Sequence, residues 1–415
     1  MLRPDPNKYN MQAYLIDIFD STNAAQELIN IGVSNSGRII MGDKLKFIVI
    51  KLKNINSTAL NILKQEALSI GAELANHKDV ITGKIAESDS ILFGTPVQLR
   101  IIVKKIRTQE FGLKELSKDL ENILTAADNK DAKILKTGKG DIIFSGKTYI
   151  MGILNVTPDS FSDGGDYFNK DAAVKRGLDL EREGADIIDI GGESTRPGAI
   201  NVDEQIEIDR VCPVIEKLSK TINLPISIDT RKPGVAGEAL KAGASIINDV
   251  SGLSYDKKGM AGVLAATGAP YILMHSREKL PEDMQRDLRA YDDIFYDILT
   301  YFNEKMEYLE EKGYGRDNII IDPGFGFAKS MVDNYDILSG ITSFKSLGLP
   351  LLCGVSRKSF INAVTGKNKN DILSGNIAIA SYMNLKMVDM VRVHDVKQTA
   401  QAFAALDKIT DQVKK

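Results

Sequence analysis

Eight short apolar runs follow one another through the last two thirds of the sequence, and helical patterns lie between them. Short strands that alternate with longer helices are typical of a parallel sheet whose faces are covered by helices. A count of eight favours a closed (β/α)8 barrel over an open doubly wound sheet. The sequence therefore predicts an α/β chain with a TIM barrel over 141–415. The runs are 149–154, 186–190, 225–229, 245–248, 271–274, 318–322, 350–354 and 390–393.

The first 140 residues have a different pattern, with a strand-like run at 44–52 and helical patterns at 59–71 and 95–109. A chain of 415 residues exceeds the ~250–300 residues at which a single hydrophobic core stops growing. We therefore predict a separate small α/β amino-terminal domain at 1–140, of unknown role. The glycine-rich and charged segment 136–141 is the predicted linker.

The composition excludes several classes of partner. Lys and Arg total 53 against 56 Asp and Glu, a net charge of −3, so no basic excess is present to bind nucleic acid. No run approaches the ~20 apolar residues of a membrane helix, and the start lacks a secretory signal, so we expect a cytoplasmic protein without membrane contact. Cys212 and Cys353 lie in apolar contexts without a Cys-x-x-Cys spacing. Both are predicted as buried core residues rather than as disulfide or zinc ligands.

Polar side chains follow the carboxyl end of every predicted strand. In a (β/α)8 barrel these ends share one face, and polar groups there line the active site. Asp and Asn are also common helix caps, but capping does not explain Arg392 and His394, which lie two apart and so share one face of a strand. A functional cleft is the better interpretation, although for His275 a hydrogen-bonded core position is favoured over a direct ligand. The residues at these ends are Asn155, Asp189, Asp229, Asn248, His275, Asp322, Lys358, Arg392 and His394.

Charges of opposite sign follow different strands. Cations concentrate after the last two strands, at Arg357 or Lys358 and at Arg392, where barrels often bind phosphate. Carboxylates and an amide follow strands three, four and six. Because a carboxylate accepts two parallel N–H bonds from a planar N–C–N edge, that side suits a flat heterocycle. The predicted substrate is therefore a heteroaromatic ring beside a phosphate group.

Seven strings lie at seven strand ends: MGILNVTPDSFSDGG, GADIIDIGGESTRPGA, ISIDTRKP, ASIINDVSG, IIDPGFGF, GVSRKS and VRVHDVKQT. They resemble the motifs of the dihydropteroate synthase family, in the order of that family, and span about 265 residues. The resemblance implies a pterin-binding transferase of folate biosynthesis. It would condense 6-hydroxymethyl-7,8-dihydropterin diphosphate with para-aminobenzoate to give 7,8-dihydropteroate and diphosphate. The resemblance further implies Mg2+ as cofactor, a homodimer through barrel helices, and inhibition by sulfonamides.

The resemblance also implies roles for individual residues. The catalytic residues would be Lys358, Arg392, His394, Asp163 and Arg196. The pterin site would contain Asp229, Asn248, Asp322, Lys358, Arg392, Phe327 and Gly354. The aminobenzoate site would contain Thr195, Arg196, Pro197, Phe161, Phe327 and Ser359. The diphosphate site would contain Asn155, Arg196, Arg392 and His394, with Asn155 also as the Mg2+ ligand.

Two positions depart from the family pattern. The fifth loop has Ser276, one extra residue and no glycine, and Ala328 stands where glycine is common beside Phe327. Both departures are interpreted as effects on affinity, because neither removes a proposed ligand.

Three other functions remain as alternatives. A methyltransferase of the same superfamily would keep the pterin site but has no use for a diphosphate site. A phosphosugar aldolase would use Lys358 as a Schiff-base lysine. A catalytically silent paralogue would bind pterin without turnover.

Overall fold

The computed structural model of the chain describes residues 21–128, 133–157, 166–194, 201–277, 291–366 and 368–413. The chain divides into two compact units, one of Met1–Glu121 with Ile409–Lys415 and one of Asn122–Lys408. This division falls at Glu121, whereas the sequence pattern placed the boundary near residue 140. None of the described helices is long and apolar enough to cross a membrane.

The amino-terminal unit contains a three-stranded antiparallel sheet together with helices, as the sequence pattern predicts. Its elements are α1 (Ser21–Asn30), α2 (Asn35–Gly42), β1 (Ile48–Asn56), α3 (Ser57–Leu68), β2 (Glu73–Asn76), β3 (Glu87–Gly94), α4 (Pro96–Ile106) and the start of α5 (Leu113–Asp128). The strand order is β1-β3-β2, and Leu63, Leu92 and Leu99 are buried. Thr95 and Gln98 form a capping box that begins α4 directly after β3.

The second unit has a short antiparallel hairpin ahead of its main sheet. The hairpin consists of β4 (Lys133–Leu135) and β5 (Ile142–Phe144). The segment 136–141, predicted as a linker between domains, instead connects these two strands. Glycine and charge are typical both of linkers and of hairpin turns, so composition did not distinguish the two.

Eight parallel strands alternate with helices through the rest of this unit and form one sheet. The strands are β6 (Tyr149–Asn155), β7 (Ile187–Gly191), β8 (Ile226–Asp229), β9 (Ile246–Asp249), β10 (Tyr271–Met274), β11 (Ile319–Asp322), β12 (Leu352–Cys353) and β13 (Met390–Val393). The helices are α6 (Asp166–Glu183), α7 (Glu204–Thr221), α8 (Pro233–Ala242), α9 (Lys257–Thr267), α10 (Ile294–Glu311), α11 (Met331–Ser339), α12 (Ser359–Thr365), α13 (Lys369–Leu385) and α14 (Val396–Val413). All eight predicted strands are confirmed.

The sheet closes on itself. Its strand order is β11-β10-β9-β8-β7-β6-β13-β12, so β11 and β12 are the two ends. Ile321 of β11 forms a parallel bridge to Leu351, the residue before β12, and its N–H donates to the Pro350 carbonyl at 2.9 Å. The second unit is therefore a (β/α)8 barrel, as the count of strands predicts.

Apolar residues fill the amino-terminal end of the barrel. Leu135, Ile142 and Phe144 of the hairpin pack in one buried cluster with strand residues such as Met151 and Ile187. Those strand residues lie within the first three positions of their strands. The hairpin therefore covers the end of the barrel where the strands begin, and the polar residues lie at the opposite end.

The two cysteines are free. Cys353 of β12 is buried, as predicted, whereas the prediction is wrong for Cys212, which is half-buried on α7. A helix that covers a barrel has one face toward the strands and one toward solvent, and Cys212 lies between the two.

Candidate active site

The parallel register brings the predicted site residues together at the carboxyl ends of neighbouring strands. Asp229 of β8 pairs with Asn248 of β9, and on its other side it pairs with Gly191 of β7. Met274 of β10 pairs with Asp322 at the end of β11. Asp229 and Asn248 therefore lie side by side, and Asp322 lies two positions further along the register on the next strand but one, so two carboxylates and an amide lie at one mouth of the barrel.

The Arg392 guanidinium joins two buried carboxylates across this mouth. Its Nε lies 2.5 Å from Asp189 Oδ2, and its Nη2 lies 2.6 Å from Asp229 Oδ2. Asn248 Nδ2 also donates to Asp189 Oδ2, at 3.1 Å. Asp189 is fully buried, and its Oδ1 has no hydrogen-bond partner among the described residues. The mouth therefore contains one acceptor for which these residues supply no donor.

Asp189 is a residue of this charged cluster that no sequence motif assigned to a ligand site. It was placed at a strand end, but its contact with Arg392 joins positions 203 residues apart. The signal was an acidic residue within the apolar run 186–190, since a carboxylate that is buried in a sheet needs a partner.

Burial and ion pairing act in opposite directions on these groups. Burial raises the pKa of Asp229, and the attraction of Arg392 opposes the rise. Burial also raises the pKa of Asp322 to about 6, although the Gly324 N–H donates to its Oδ1 at 2.8 Å. Burial disfavours the charged form of Arg392, but Asp189 and Asp229 raise its pKa above the ordinary value. Asp229 and Asp322 are therefore easier to protonate than ordinary carboxyls, whereas Arg392 stays charged.

Lys358 is the cation of the seventh strand end that reaches the mouth. It immediately precedes α12, and its Nζ lies 4.2 Å from the centre of the Phe327 ring, a cation–π distance. Phe327 is buried with Val250 and Met274 in a small apolar cluster. Burial lowers the pKa of Lys358 to about 8. The ammonium thus lies on an aromatic surface and releases its proton more readily than an ordinary lysine.

Arg357, the other candidate at this strand end, is engaged elsewhere. Its guanidinium pairs with Asp395 at 2.8 Å, and its side chain is 46% exposed. Its φ of 61° is in the left-handed region, and Asn376 Oδ1 accepts its backbone N–H at 3.0 Å. Of the two cations left open by the sequence, the fold therefore selects Lys358.

Ser356 holds His394 at the eighth strand end. His394 Nδ1 lies 3.1 Å from Ser356 Oγ, which also accepts the His394 backbone N–H at 3.2 Å. Arg392 and His394 are both half-buried, while Val393 between them is buried. This alternation is the one that the spacing of two predicts.

Three further candidates lie at the rim of the mouth. Asn155 ends β6 and is half-buried, and Ser359 is exposed at the start of α12. A Cβ on Gly354 would lie 3.8 Å from Asp322 Oδ2 and 4.0 Å from the Cβ of Arg392. Gly354 therefore borders both the carboxylate and the arginine.

His275 is a buried and hydrogen-bonded histidine, as the sequence analysis favoured. It is 3% exposed, its ring packs edge-on against Tyr301 with ring centres 4.8 Å apart, and its Nδ1 lies 2.9 Å from Lys329 Nζ. Burial lowers the pKa of His275 well below its ordinary value, and Lys329 adds to the effect. The buried position of Lys329 was not predicted, because a lysine after a glycine-rich loop is typical of the surface.

A second buried charge network, also missed, connects β7 and β8 to α7. Arg231 Nε and Lys232 Nζ each lie 3.0 Å from the Glu193 carboxylate, and Lys232 Nζ lies 2.6 Å from Glu207 Oε2. All four side chains are at most 6% exposed. Glu193 also accepts the backbone N–H of Val202 at 2.9 Å.

Five candidates for the site lie outside the described residues, so their roles stay predictions: Phe161, Asp163, Thr195, Arg196 and Pro197.

Known proteins are similar to this chain over the barrel. Residues 151–394 match the family of pterin binding enzymes. The dihydropteroate synthase of Bacillus subtilis is 45% identical over 275 residues, which cover 66% of this chain and 93% of that protein. A solved structure of the Xanthomonas albilineans dihydropteroate synthase with 4-aminobenzoic acid is 38% identical, with a TM-score of 0.62. That match covers 67% of this chain and 98% of the other.

Another relative matches beyond the barrel. A probable bifunctional folylpolyglutamate synthase/dihydropteroate synthase of Haloferax volcanii is 37% identical over 349 residues, which cover 82% of this chain and 41% of that protein. A match of this length exceeds the unit Asn122–Lys408. Part of the amino-terminal unit therefore has a counterpart in that relative.

Proposed function

The chain belongs to the family of pterin binding enzymes and acts as a dihydropteroate synthase, and we propose that the charged groups of its barrel mouth divide the reaction between them. It condenses 6-hydroxymethyl-7,8-dihydropterin diphosphate with para-aminobenzoate and releases 7,8-dihydropteroate and diphosphate. The observation that carries the proposal is the Arg392 guanidinium between Asp189 and Asp229. One mouth thus offers anions to a guanidine-like ring edge and cations to an anionic leaving group.

The carboxylate side of the mouth would bind the pterin ring. Asp229 and Asp322 would accept ring N–H groups, because a carboxylate matches a planar N–C–N edge. Asn248 would hold the ring from the strand next to Asp229, and Lys358 would donate to the ring carbonyl. Phe327 supplies a buried apolar surface against which a flat ring can pack.

The cationic side would bind the diphosphate. Arg392 and His394 lie on one face of the last strand, and Asn155 ends the adjacent strand β6. The amide oxygen of Asn155 fits Mg2+, which prefers oxygen ligands and keeps waters and substrate phosphates as its other ligands. The described residues include no group of three or more His, Cys, Asp or Glu that could hold a metal ion. When bound with the diphosphate, Mg2+ would neutralise charge on the leaving group.

Replacement of Asn155 by alanine is expected to raise the Mg2+ concentration for half-maximal activity about tenfold, because one of few protein ligands is lost. Initial rates across a Mg2+ titration measure this, with Asn223→Ala as the control, since Asn223 is exposed at the amino-terminal side of β8. An unchanged Mg2+ requirement in Asn155→Ala would contradict the role of Asn155 as a metal ligand.

A dissociative mechanism fits these positions. The bond between the pterin methylene carbon and the diphosphate oxygen breaks, and both electrons leave with the diphosphate. Asp229 and Asp322, in their anionic forms, stabilise the cation that is then delocalised over the pterin. Arg392 and His394 stabilise the departing charge. The aromatic amine forms the new C–N bond and loses a proton to solvent, so no strong general base is needed.

Incubation of the protein with both substrates and Mg2+ tests the proposed function. Dihydropteroate and diphosphate are expected in equal amounts, with competitive inhibition by a sulfonamide against para-aminobenzoate. Pterin binding without product would indicate a silent protein, and methyl transfer from a methylated tetrahydrofolate would indicate a methyltransferase. A borohydride-trapped adduct on Lys358 would indicate an aldolase.

Pterin binding is expected to weaken as the pH falls through about 6. Burial raises the pKa of Asp322 to about 6, and the protonated carboxyl no longer accepts two N–H bonds. Asp229 also accepts a ring N–H and burial raises its pKa as well, so more than one proton competes with the ligand. Below that pH the affinity would therefore fall at least about tenfold per pH unit. Calorimetry with 6-hydroxymethyl-7,8-dihydropterin, which has no titrating phosphate, measures this. The slope is expected to be shallower in Asp322→Asn, and a flat profile of the unmodified protein down to pH 5 would contradict the role of Asp322.

We also propose a cytoplasmic homodimer formed through barrel helices. Apolar side chains are exposed on three of these helices, namely Val332 (68% exposed) of α11, Val364 (61%) of α12 and Leu385 (55%) of α13, and an interface through these helices would cover them.

A further inference from the structure

Lys329 is a buried lysine that the proposed reaction does not use. It is 5% exposed, and its Nζ has three acceptors: His275 Nδ1 at 2.9 Å, the Gly324 carbonyl at 2.9 Å and the Phe327 carbonyl at 3.1 Å. An ammonium group has three N–H donors, so these acceptors match its full capacity. A buried amine with this geometry fixes the backbone to which it donates.

The two carbonyls belong to the loop 323–329, which connects β11 to α11 and which we call the sixth loop. Three of its residues have positive φ, namely Gly324 (70°), Gly326 (75°) and Ala328 (48°). Ala328 is buried, and a residue with a Cβ is strained in this conformation. A Cβ on Gly324 would lie 2.2 Å from the carbonyl oxygen of His275, so the loop packs directly on the end of β10. Such a loop needs specific contacts to hold it.

The sixth loop touches two groups of the proposed site. The Gly324 N–H donates to Asp322 Oδ1 at 2.8 Å, and the Phe327 ring lies 4.2 Å from Lys358 Nζ. Lys329 donates to the carbonyls of Gly324 and Phe327. One amine therefore holds both the residue that orients Asp322 and the residue that contacts Lys358.

We propose that Lys329, with His275 as its acceptor, is a positioning residue for dihydropteroate synthesis, which fixes the sixth loop so that Asp322 and Lys358 meet the pterin. It acts through these two residues and does not touch the substrate. The inference rests on the roles proposed above for Asp322 and Lys358.

A second anchor keeps the sixth loop attached when Lys329 is changed. Asn334 Oδ1 of α11 accepts the Gly326 N–H at 2.8 Å, and its Nδ2 donates to the Ser330 carbonyl at 2.7 Å. Asn334 is 1% exposed and does not depend on the Lys329 amine. Loss of that amine is therefore expected to displace the loop rather than to unfold it.

Protonation of Lys329 is part of this arrangement. A protonated Lys329 can only donate, so His275 Nδ1 then accepts from it and the neutral imidazole carries its proton on Nε2. Burial lowers the pKa of Lys329 to about 7, and Asp322 opposes the change. The neutral amine has two donors for three acceptors, so the hold on the loop weakens above pH 7. The charged and titratable groups that face Lys329 are His275 and Arg277 after β10, Asp322 of β11, Asp333 of α11 and Lys358 before α12.

Three variants separate positioning from general stability. Lys329→Met is expected to lower kcat/KM for the pterin diphosphate about 100-fold, the effect of a misplaced site group. Lys329→Arg, which keeps a donor, is expected to restore most of this loss. Lys345→Met is the matched control, because Lys345 Nζ also donates to a backbone carbonyl, that of Met387 at 2.6 Å. Both residues lie at the opposite end of the barrel, where β12 and β13 begin. Equal activity of Lys329→Met and Lys345→Met would overturn the inference.

The pH profile gives a readout that a merely structural role would not move. In the unmodified protein the fall of kcat/KM at high pH is expected to begin near 7, where Lys329 loses its proton. In Lys329→Arg it is expected to move to about 8, where Lys358 does so. A profile that Lys329→Arg leaves unchanged would overturn the inference.

Tryptophan fluorescence reports the position of the sixth loop without an activity assay. The chain has no tryptophan, so Phe327→Trp supplies a single reporter on the sixth loop. Adding Lys329→Met is expected to shift its emission to longer wavelength. Unchanged emission would overturn only the positioning role of Lys329. Shifted emission with full activity of Lys329→Met would overturn the roles proposed for Asp322 and Lys358. If Lys329→Met does not fold, His275→Phe keeps the ring packing and removes the acceptor, and about a tenfold loss of kcat/KM is expected.

Discussion

Replacement of Arg392 by methionine is expected to abolish turnover and to lower the free energy of unfolding by about 3–5 kcal/mol at neutral pH. The guanidinium pairs with the buried Asp189 and with Asp229. Methionine has a similar length but leaves both carboxylates without a cation, and removing one partner of a buried ion pair is strongly destabilising. Chemical denaturation measures the stability, and diphosphate release measures turnover.

The loss of stability in Arg392→Met is expected to shrink as the pH falls. Without the cation, burial raises the pKa of Asp229 further above its value in the unfolded chain, so the folded state binds protons more readily. A group of this kind favours the folded state at low pH, and the deficit is therefore smaller at pH 5 than at pH 8. A deficit that does not depend on pH would contradict the explanation by ion pairing.

Arg357→Met is the matched control for this substitution. Arg357 also pairs with a carboxylate, Asp395 at 2.8 Å, but its side chain is 46% exposed. Exposed ion pairs contribute about 0–1 kcal/mol, because water and salt screen them. Equal destabilisation by both variants would show that burial of the Arg392 cluster is not the cause.

The fold and part of the site could be predicted because they depend on local pattern. Strands of a barrel are buried on both faces, so each appears as an apolar run bounded by turns. A residue directly after such a run lies at the carboxyl end of its strand, and this position does not depend on the rest of the fold. Asp229, Asn248 and Asp322 are therefore predicted at one end of the sheet, and the pairing of β8, β9, β10 and β11 as neighbours agrees.

The rest of the site depends on contacts that no local pattern contains. Arg392 reaches Asp189 because β13, β6 and β7 are neighbours in the closed sheet, although the residues are 203 positions apart. Arg357 and Lys358 are adjacent in a loop without periodicity, so only their contacts in the fold, with Asp395 and with Phe327 respectively, show which side chain reaches the mouth. No prediction could be made for Lys329, because the sequence does not show that its loop turns back on β10.

The buried charges of the mouth favour the proposed reaction but destabilise the fold. Burial raises the pKa of Asp322 from 3.8 to about 6, so keeping it ionised at neutral pH costs about 3 kcal/mol of folding free energy. An acid whose folded pKa is raised favours the folded state at low pH, and this cost disappears as Asp322 is protonated. A site that must be anionic beside a developing cation is therefore built against the stability of the fold.

Replacement of Asp322 by asparagine is expected to lower kcat/KM for the pterin diphosphate about 100- to 1,000-fold, the loss of one preorganised electrostatic group. The amide oxygen can still accept the Gly324 N–H, so the sixth loop is expected to stay in place. The amide nitrogen would then face a ring N–H, donor against donor, and the anion beside the developing cation is gone. Initial rates at varied pterin diphosphate measure the loss.

Stability distinguishes this loss from unfolding, because Asp322→Asn is expected to raise the free energy of unfolding at neutral pH by up to about 3 kcal/mol. Asp389→Asn is the matched control: Asp389 precedes β13 at the opposite end of the barrel, burial raises its pKa, and it accepts the Leu351 N–H at 2.9 Å. The same substitution there is expected to leave kcat/KM within about threefold, since no developing charge lies near it. Full activity of Asp322→Asn would show that the pterin does not bind to this carboxylate. Equal losses of kcat/KM in both variants would show that the loss of any buried charge causes the effect.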